Sequence, residues 1–295
     1  MTREELVARA QDAIHNGSKS FRLASRLFDR RTRERAWLLY CWCRHCDDMC
    51  DGQALGRGTP KSDSIIPLRG SVIRLTEQTR RAALGQSVDE LPFQALQALL
   101  RECPIPLALL DDHLEGFRLD ERDWRPETEE ELIRYCYHVA GTVGRMMALV
   151  MGVPASDEAT LERAQDLGIA FQLSNIARDV REDAEAGRCY LPGEWLRELD
   201  LGMATVDLEE NRRAVANLVH RLIDSVGGYE RSARLGVSSL PFRSRWAVLS
   251  AAGIYGRIGR TVADLGPRAW DQRVVVPRNE KAMILAAAFG EAMAA

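Results

Sequence analysis

The chain reads as an all-α protein, a single-domain helical bundle over residues 1–295. Three observations carry that expectation. Apolar residues recur at helical spacing along most of the chain, between residues that start and stop helices. No stretch sustains the alternation of a strand, and there is no βαβ rhythm, fixed-period repeat or low-complexity segment. Two segments far apart place aspartates four residues apart within mostly apolar helical stretches. That suits a bundle whose site is built in its core from facing helices.

Taken in order, residues 2–16 predict an amphipathic helix with Leu6, Ala10, Ala13 and Ile14 on one face, stopped at Asn16-Gly17. Ser18-Lys19-Ser20-Phe21 follows, and either serine can cap the next helix. Residues 31–51 predict a long helix ended by Gly52. The segment 52–64 is a polar, Gly-bearing loop, either a solvated connection or a lid beside a site. Helices are expected at 65–84 and 90–102, then near 106–121 after Pro104 and Pro106. A turn at 122–127 holds Trp124 and Pro126. Thr128-Glu129-Glu130-Glu131 supplies a capped, acidic first turn to a helical stretch over 128–151. Within it Ala140, Gly141 and Gly144 leave room beside the helix, for close packing of another helix or for a long ligand. Residues 157–184 form the next helix, ended by Gly187 and Tyr190-Leu191-Pro192. A short helix at 193–200, one near 207–235 bent at Gly227-Gly228, one from Pro241 to residue 265 and a last over 279–293 complete the bundle.

Composition bounds the function. Hydrophobic residues make up 46% and charged residues 28%, as in a globular chain with a sizeable core. A net charge of −3 argues against a nucleic-acid partner. Of the 40 basic residues all but Lys19, Lys61 and Lys281 are arginine, which suits forked contact with phosphate oxygens but follows equally from genome composition. Seven cysteines, an odd number with no secretory leader before them, fit reduced thiols in a cytosol. Cys41, Cys43, Cys46 and Cys50 point in several directions on a helix, so they read as packing residues and not as a zinc site. The scattered His45, His113 and His138 also read as structural. No run approaches ~18 consecutive apolar residues, so no membrane-spanning helix is expected.

The chemistry concentrates in the two aspartate segments. At about 100° per residue, Tyr40, Arg44, Asp47 and Asp51 form one stripe roughly 60° wide, with Asp48 off its edge. Gln172, Asp179 and Asp183 form another, with Asn175 at its margin. Rows of carboxylates on mostly apolar helices are unfavourable unless positive charge compensates them. Oxygen ligands without a supporting His/Cys set favour Mg²⁺ or Mn²⁺, which take one or two carboxylates and complete their shell with water and phosphate. Arg44 and Arg178, each inside a stripe, can complete a phosphate clamp. Two such patches facing each other predict a metal-diphosphate enzyme that ionises a C–O bond beside an apolar cavity.

At these residues the chain resembles the squalene/phytoene synthase family, head-to-head isoprenyl diphosphate synthases. The resemblance spans Gly17-Ser18-Lys19-Ser20-Phe21 to Trp270-Asp271-Gln272-Arg273. Its most specific pieces are Tyr40-x-Trp42-Cys43-Arg44-x-x-Asp47-Asp48-x-x-Asp51, Tyr135-Cys136-Tyr137-x-Val139-Ala140-Gly141-Thr142-Val143-Gly144, and Phe171-Gln172-Leu173-x-Asn175-Ile176-x-Arg178-Asp179-Val180-x-Glu182-Asp183, followed by Gly187-Arg188-x-Tyr190-Leu191-Pro192. Cys43-Arg44-His45-Cys46-Asp47-Asp48 and His113-Leu114-Glu115-Gly116-Phe117 are most similar to the bacterial phytoene-forming branch.

The resemblance implies an isoprenoid-synthase bundle with a central cavity. It implies condensation of two geranylgeranyl diphosphates through prephytoene diphosphate to phytoene, with Mg²⁺ or Mn²⁺ and without NADPH. It further implies that Asp47, Asp51, Asp179 and Asp183 bind metal, flanked by Asn175 and Gln172. Arg44, Arg178 and Arg273, with Ser18, Lys19 and Tyr255, would hold diphosphate. Phe21, Tyr40, Tyr135 and Tyr190 would line the cavity near the cations, and Ala140, Val143 and Gly144 a prenyl channel. Ordinary core packing is the competing reading for Tyr40, Tyr135 and Tyr255, and a site role for Glu115 or Asp120 stays open. A C30 squalene or dehydrosqualene synthase using farnesyl diphosphate is the alternative enzyme, and a non-catalytic assembly factor the alternative of another class. The latter would be expected to have lost a carboxylate, and all four are present. Insoluble tails and product imply a cytoplasmic protein in reversible contact with a membrane surface, and contacts with other carotenoid enzymes.

Overall fold

The structure, a computed structural model, describes the backbone of residues 1–17, 19–51 and 70–295, and the side chains of these except 15–17, 19, 20, 50 and 51. Thirteen α-helices and no strand occur among the described residues. They are α1 (Arg3–Gly17), α2 (Lys19–Ser25), α3 (Arg30–Asp51), α4 (Ser71–Ala83), α5 (Leu91–Leu100), α6 (Leu107–Glu121), α7 (Glu129–Cys136), α8 (Thr142–Val150), α9 (Glu158–Glu185), α10 (Gly193–Arg197), α11 (Arg212–Gly236), α12 (Phe242–Leu265) and α13 (Arg278–Ala294). The loop expected at 52–64 and the first turn of the helix expected at 65–84 lie outside the described residues.

Local chemistry explains the boundaries. Asp29 accepts from the Thr32 amide at the start of α3, and Asp157 from the Thr160 amide at the start of α9. Thr128 accepts from the Glu131 amide, while the Glu131 carboxylate reaches back to the Glu127 amide. The capped acidic turn read from the sequence is therefore present. Gly187 ends α9 at φ 77°, a conformation that lets the Arg188 amide close onto the Asp183 carbonyl at 2.8 Å. α11 continues as α-helix through Gly227-Gly228.

Two apolar clusters form the interior. One gathers α1, α3, α5, α6 and α8 around Trp42, Phe93 and Leu110; the other gathers α7, α9, α11 and α12 around Leu132, Leu173 and Trp195. α9 is the longest helix and packs against α8, α11 and α12. Its buried residues include Gly168, Ile169, Leu173 and Ile176, enough all-round burial to make it the axis of the bundle.

The expected continuous helix over 128–151 is interrupted. Tyr137–Gly141 form a π-helical turn between α7 and α8. Side chains stabilise it: Thr142 Oγ donates to the His138 carbonyl at 2.6 Å, and His113 Nδ1 lies 3.1 Å from the same oxygen. Tyr137 Oη donates to Asp112 at 2.6 Å. Small residues let the neighbours close in. A Cβ at Gly116 would meet Val139 Cγ1 at 2.5 Å, and one at Gly168 would meet the Ala140 carbonyl carbon at 2.6 Å. Helical periodicity alone carries no signal for such a turn, because every residue in it is still compatible with α-helix.

Candidate active site

An apolar cavity of about 310 Å³ lies where α2, α3, α8, α9 and α12 converge. α3 and α9 both supply it from positions ahead of their aspartate stripes. α3 contributes Ala36, Leu39, Tyr40 and Cys43, and α9 contributes Ala164, Leu167, Gly168 and Phe171. Beyond these positions each helix continues into its aspartate stripe. Tyr40 to Asp47 and Phe171 to Asp179 are seven and eight residues, roughly 10 and 12 Å along a helix at 1.5 Å per residue. The carboxylates therefore follow the apolar lining at the same end of both helices.

Aromatic stacks shape that end. Phe21 stacks on Tyr40 at 5.2 Å and 16°, and Phe171 on Tyr255 at 4.1 Å and 17°. Burial, with the charges of Asp47 and Asp48 and the neighbouring Tyr255, pushes the Tyr40 phenol up to about 12. Burial also raises Tyr255, with Arg178 acting against it. Electrostatic proximity thus runs from Asp47 and Asp48 through Tyr40 and Tyr255 to Arg178, from one stripe to the other.

The arginines are held by the carboxylates. Asp48 accepts two hydrogen bonds from Arg44, at 2.9 and 2.5 Å, and Asp47 lies 3.9 Å from the same guanidinium. Asp48, off the predicted stripe, thereby orients Arg44. On α9 the guanidinium of Arg178 grips Asp179 at 2.7 and 2.5 Å. Arg273, arriving from the segment between α12 and α13, pairs with Asp179 at 3.0 Å and with Glu182. Burial opposes the charge of Arg178, but its hydrogen bonds to Asp179 together with the charges of Asp179, Tyr255 and Asp183 outweigh this and raise its pKa.

Hydrogen bonding separates the aromatic and amide groups into two classes. Tyr40 Oη, Tyr255 Oη and the amides of Gln172 and Asn175 have no hydrogen-bond partner among the described residues. They stand at the cavity mouth or beside the second stripe, where a ligand can meet them. Tyr135 and Tyr190 are different. They stack at 4.9 Å in the second apolar cluster, and both hydroxyls donate to Asp120, at 3.0 and 3.1 Å. Neither is among the residues that line the cavity described above. A buried phenol requires an acceptor, and Asp120 supplies one for both. Burial first, then Asp120, raises both phenols well above the ordinary value.

Of the expected channel residues, Val143 and Gly144 line the cavity. Ala140 does not; it backs onto Gly168, where its carbonyl leaves no room for a side chain. Ser18 and the side chains of Lys19 and Asp51 lie outside the described residues. Ala247, Ala251, Met147 and Phe171 also line the cavity and escaped the sequence reading. The signal was present for two of them: Ala251 and Ala247 precede Tyr255 by four and eight residues, on the same face of α12.

The donor set fits a hard divalent cation. Oxygen donors dominate both stripes, and the cysteines nearby are buried or apolar in setting: Cys41 and Cys46 are in the core and Cys43 faces the cavity. Among the described residues no three His, Cys, Asp or Glu side chains close around a common point. His113, fully buried, is lowered to about 4 by burial and plays its part in the π-helical turn, as expected of a structural histidine.

Comparison with known proteins places this geometry. The signature of the squalene/phytoene synthase family matches residues 14–280. The chain is 44% identical over 293 residues to a 15-cis-phytoene synthase of Pantoea ananas, covering 99% of this chain and 94% of that one. It is 45% identical over 279 residues to a 15-cis-phytoene synthase of Enterobacter agglomerans, covering 94% and 92%. A crystal structure of a dehydrosqualene synthase in complex with ligand superposes with a TM-score of 0.87 at 25% identity, covering 99% of this chain and 98% of that one. The chain belongs to the squalene/phytoene synthase family.

Proposed function

We propose that the protein, acting as a single domain over residues 1–295, condenses two geranylgeranyl diphosphates head to head through prephytoene diphosphate to phytoene, releasing two diphosphates. The observation that carries this reading is the apolar cavity whose lining on α3 and α9 is followed along each helix by paired aspartates and arginines. The names carried by the Pantoea and Enterobacter relatives support the phytoene product.

The donor chemistry supports Mg²⁺ or Mn²⁺ held by Asp47, Asp51, Asn175, Asp179 and Asp183. When bound, the ion supplies positive charge against the departing diphosphate. Arg44, Arg178 and Arg273, with Ser18, Lys19 and Tyr255, bind diphosphate oxygens; the forked guanidiniums match those oxygens two at a time. Gln172 orients the same group through its amide. Phe21 and Tyr40 present stacked ring faces beside the carbon that becomes cationic. Val143 and Gly144 hold the prenyl chain in a cavity that excludes water from that cation. The final cation loses a proton, so NADPH is not required.

The insolubility of substrate tails and product supports reversible contact of a cytoplasmic protein with a membrane surface, where other carotenoid enzymes would meet it. Among the described residues no helix is long and apolar enough to cross a membrane. Purified protein incubated with geranylgeranyl diphosphate and Mg²⁺, without NADPH, should yield phytoene; unreacted substrate across metals and detergents overturns the reading. Farnesyl diphosphate offered in parallel should turn over poorly, and preference for it would assign a C30 product instead.

A further inference from the structure

On the far side of α2 from the cavity, α1, α2 and the first turns of α3 enclose a second concavity, of about 450 Å³. Five arginines line it: Arg3, Arg22, Arg26, Arg30 and Arg33. Glu4 and Glu34 are the acids in its wall, so the lining is cationic on a chain whose net charge is −3.

Among the described residues, two of these cations, Arg26 and Arg33, have no carboxylate partner. Glu34 is already held by Arg3 at 2.6 Å and by Arg30 at 2.8 Å. Nearby Glu102 is taken by Arg3 and Arg35. Arg26 is exposed, and its side chain has no partner among the described residues. Arg33 lies over the Trp37 ring at 5.5 Å, and its Nε is buried with no hydrogen-bond acceptor. Burying a charged donor without an acceptor is more costly than burying a neutral one. The floor beneath them is fixed: Trp37 Nε1 donates to Ser25 Oγ at 3.2 Å, which donates to the Arg22 carbonyl at 3.2 Å. The forked donors of Arg26 and Arg33, beside a rigid aromatic floor, match the oxygens of a phosphate group.

We propose that this cleft is an anion site, separate from the cavity, for phosphate oxyanions, carried by a lipid headgroup or free in solution. It rests on the cleft alone, so failure of the turnover assay above would strike the proposed reaction and leave this site untouched.

The test uses the full chain and two variants, Arg26→Gln and Arg26→Gln/Arg33→Gln. One arm measures sedimentation with vesicles of phosphatidylcholine, with and without phosphatidylglycerol, at low and high salt. The other titrates inorganic diphosphate by calorimetry in the presence of EDTA, which silences metal-dependent binding. Neutralising each arginine should weaken binding about fivefold, and the double change about 25-fold. Turnover of detergent-dispersed geranylgeranyl diphosphate should be unchanged in both variants, which checks that they fold; if the double variant fails to fold, Arg26→Gln alone decides. Binding to phosphatidylglycerol vesicles identifies the lipid source, and binding of diphosphate the soluble one. Binding in neither arm, or equal binding by wild type and variants, overturns the proposal.

Discussion

Replacing Gly168 by alanine tests how packing positions the site. A Cβ at Gly168 would lie 2.6 Å from the Ala140 carbonyl carbon and 2.9 Å from Gly141 Cα. Carbon atoms pack at about 3.5–4.0 Å, so α9 and the π-helical turn must separate by about 1 Å. Both partners are backbone, which cannot rotate out of the way. Overpacking of this kind costs about 1–3 kcal/mol, a fall in Tm of roughly 2–10 °C for a chain of this size. The functional effect should exceed the stability effect. α9 carries Phe171, Gln172, Asn175 and Asp179 beyond the contact, and a 1 Å displacement of catalytic groups costs on the order of 100-fold in rate. Turnover at saturating substrate and the thermal melt are the assays. Gly228→Ala is the control: it sits exposed in α11 with nothing within 4 Å of a new Cβ, and should gain about 0.5–1 kcal/mol with unchanged turnover. Wild-type turnover and Tm for Gly168→Ala would refute the packing argument.

His113 makes a pH prediction. Its folded-state pKa of about 4 lies below the unfolded value near 6.5, so the unfolded chain takes up a proton before the folded one does. Its contribution to stability is therefore intact above about pH 6.5 and falls by about 3 kcal/mol as pH drops to 4. Chemical denaturation of His113→Gln across that window should show a shallower slope, and an identical slope would contradict the assignment. Tyr190→Phe removes a donor to Asp120 and should cost about 1–2 kcal/mol in the same assay. Tyr40→Phe, whose hydroxyl has no partner among the described residues, should keep wild-type stability and lose turnover; the reverse pattern would exchange the two roles.

Much of this molecule could be read before any coordinates. Helical spacing marks α3 and α9, and the Asp/Arg spacing within them marks one functional face each, because four-residue repeats fall together on a helix whatever packs around it. Thr128 and Gly187 sit where their chemistry places helix ends. What escaped depends on partners distant in sequence. The π-helical turn exists because His113, Thr142 and Asp112 hold its polar groups. That Tyr135 and Tyr190 share Asp120 as the acceptor of both hydroxyls is visible only in the fold. Ala140 belongs to a motif that reads equally as channel or contact, and the close approach of its carbonyl to Gly168 is visible only in the fold. Spacing within one helix is local information; the identity of the group across a helix interface is not.

The central claim is that the aspartates following the cavity lining on α3 and α9 operate as one metal-diphosphate site. The most direct test is the turnover of geranylgeranyl diphosphate by Asp47→Asn and Asp183→Asn at saturating Mg²⁺, with thermal melts alongside. Each change is nearly isosteric, so the fold should be retained. Loss of a ligand charge from either helix should lower turnover by at least about 1,000-fold, some 4 kcal/mol of transition-state stabilisation. Near-normal rates in either folded variant would contradict the claim and remove that helix from the site.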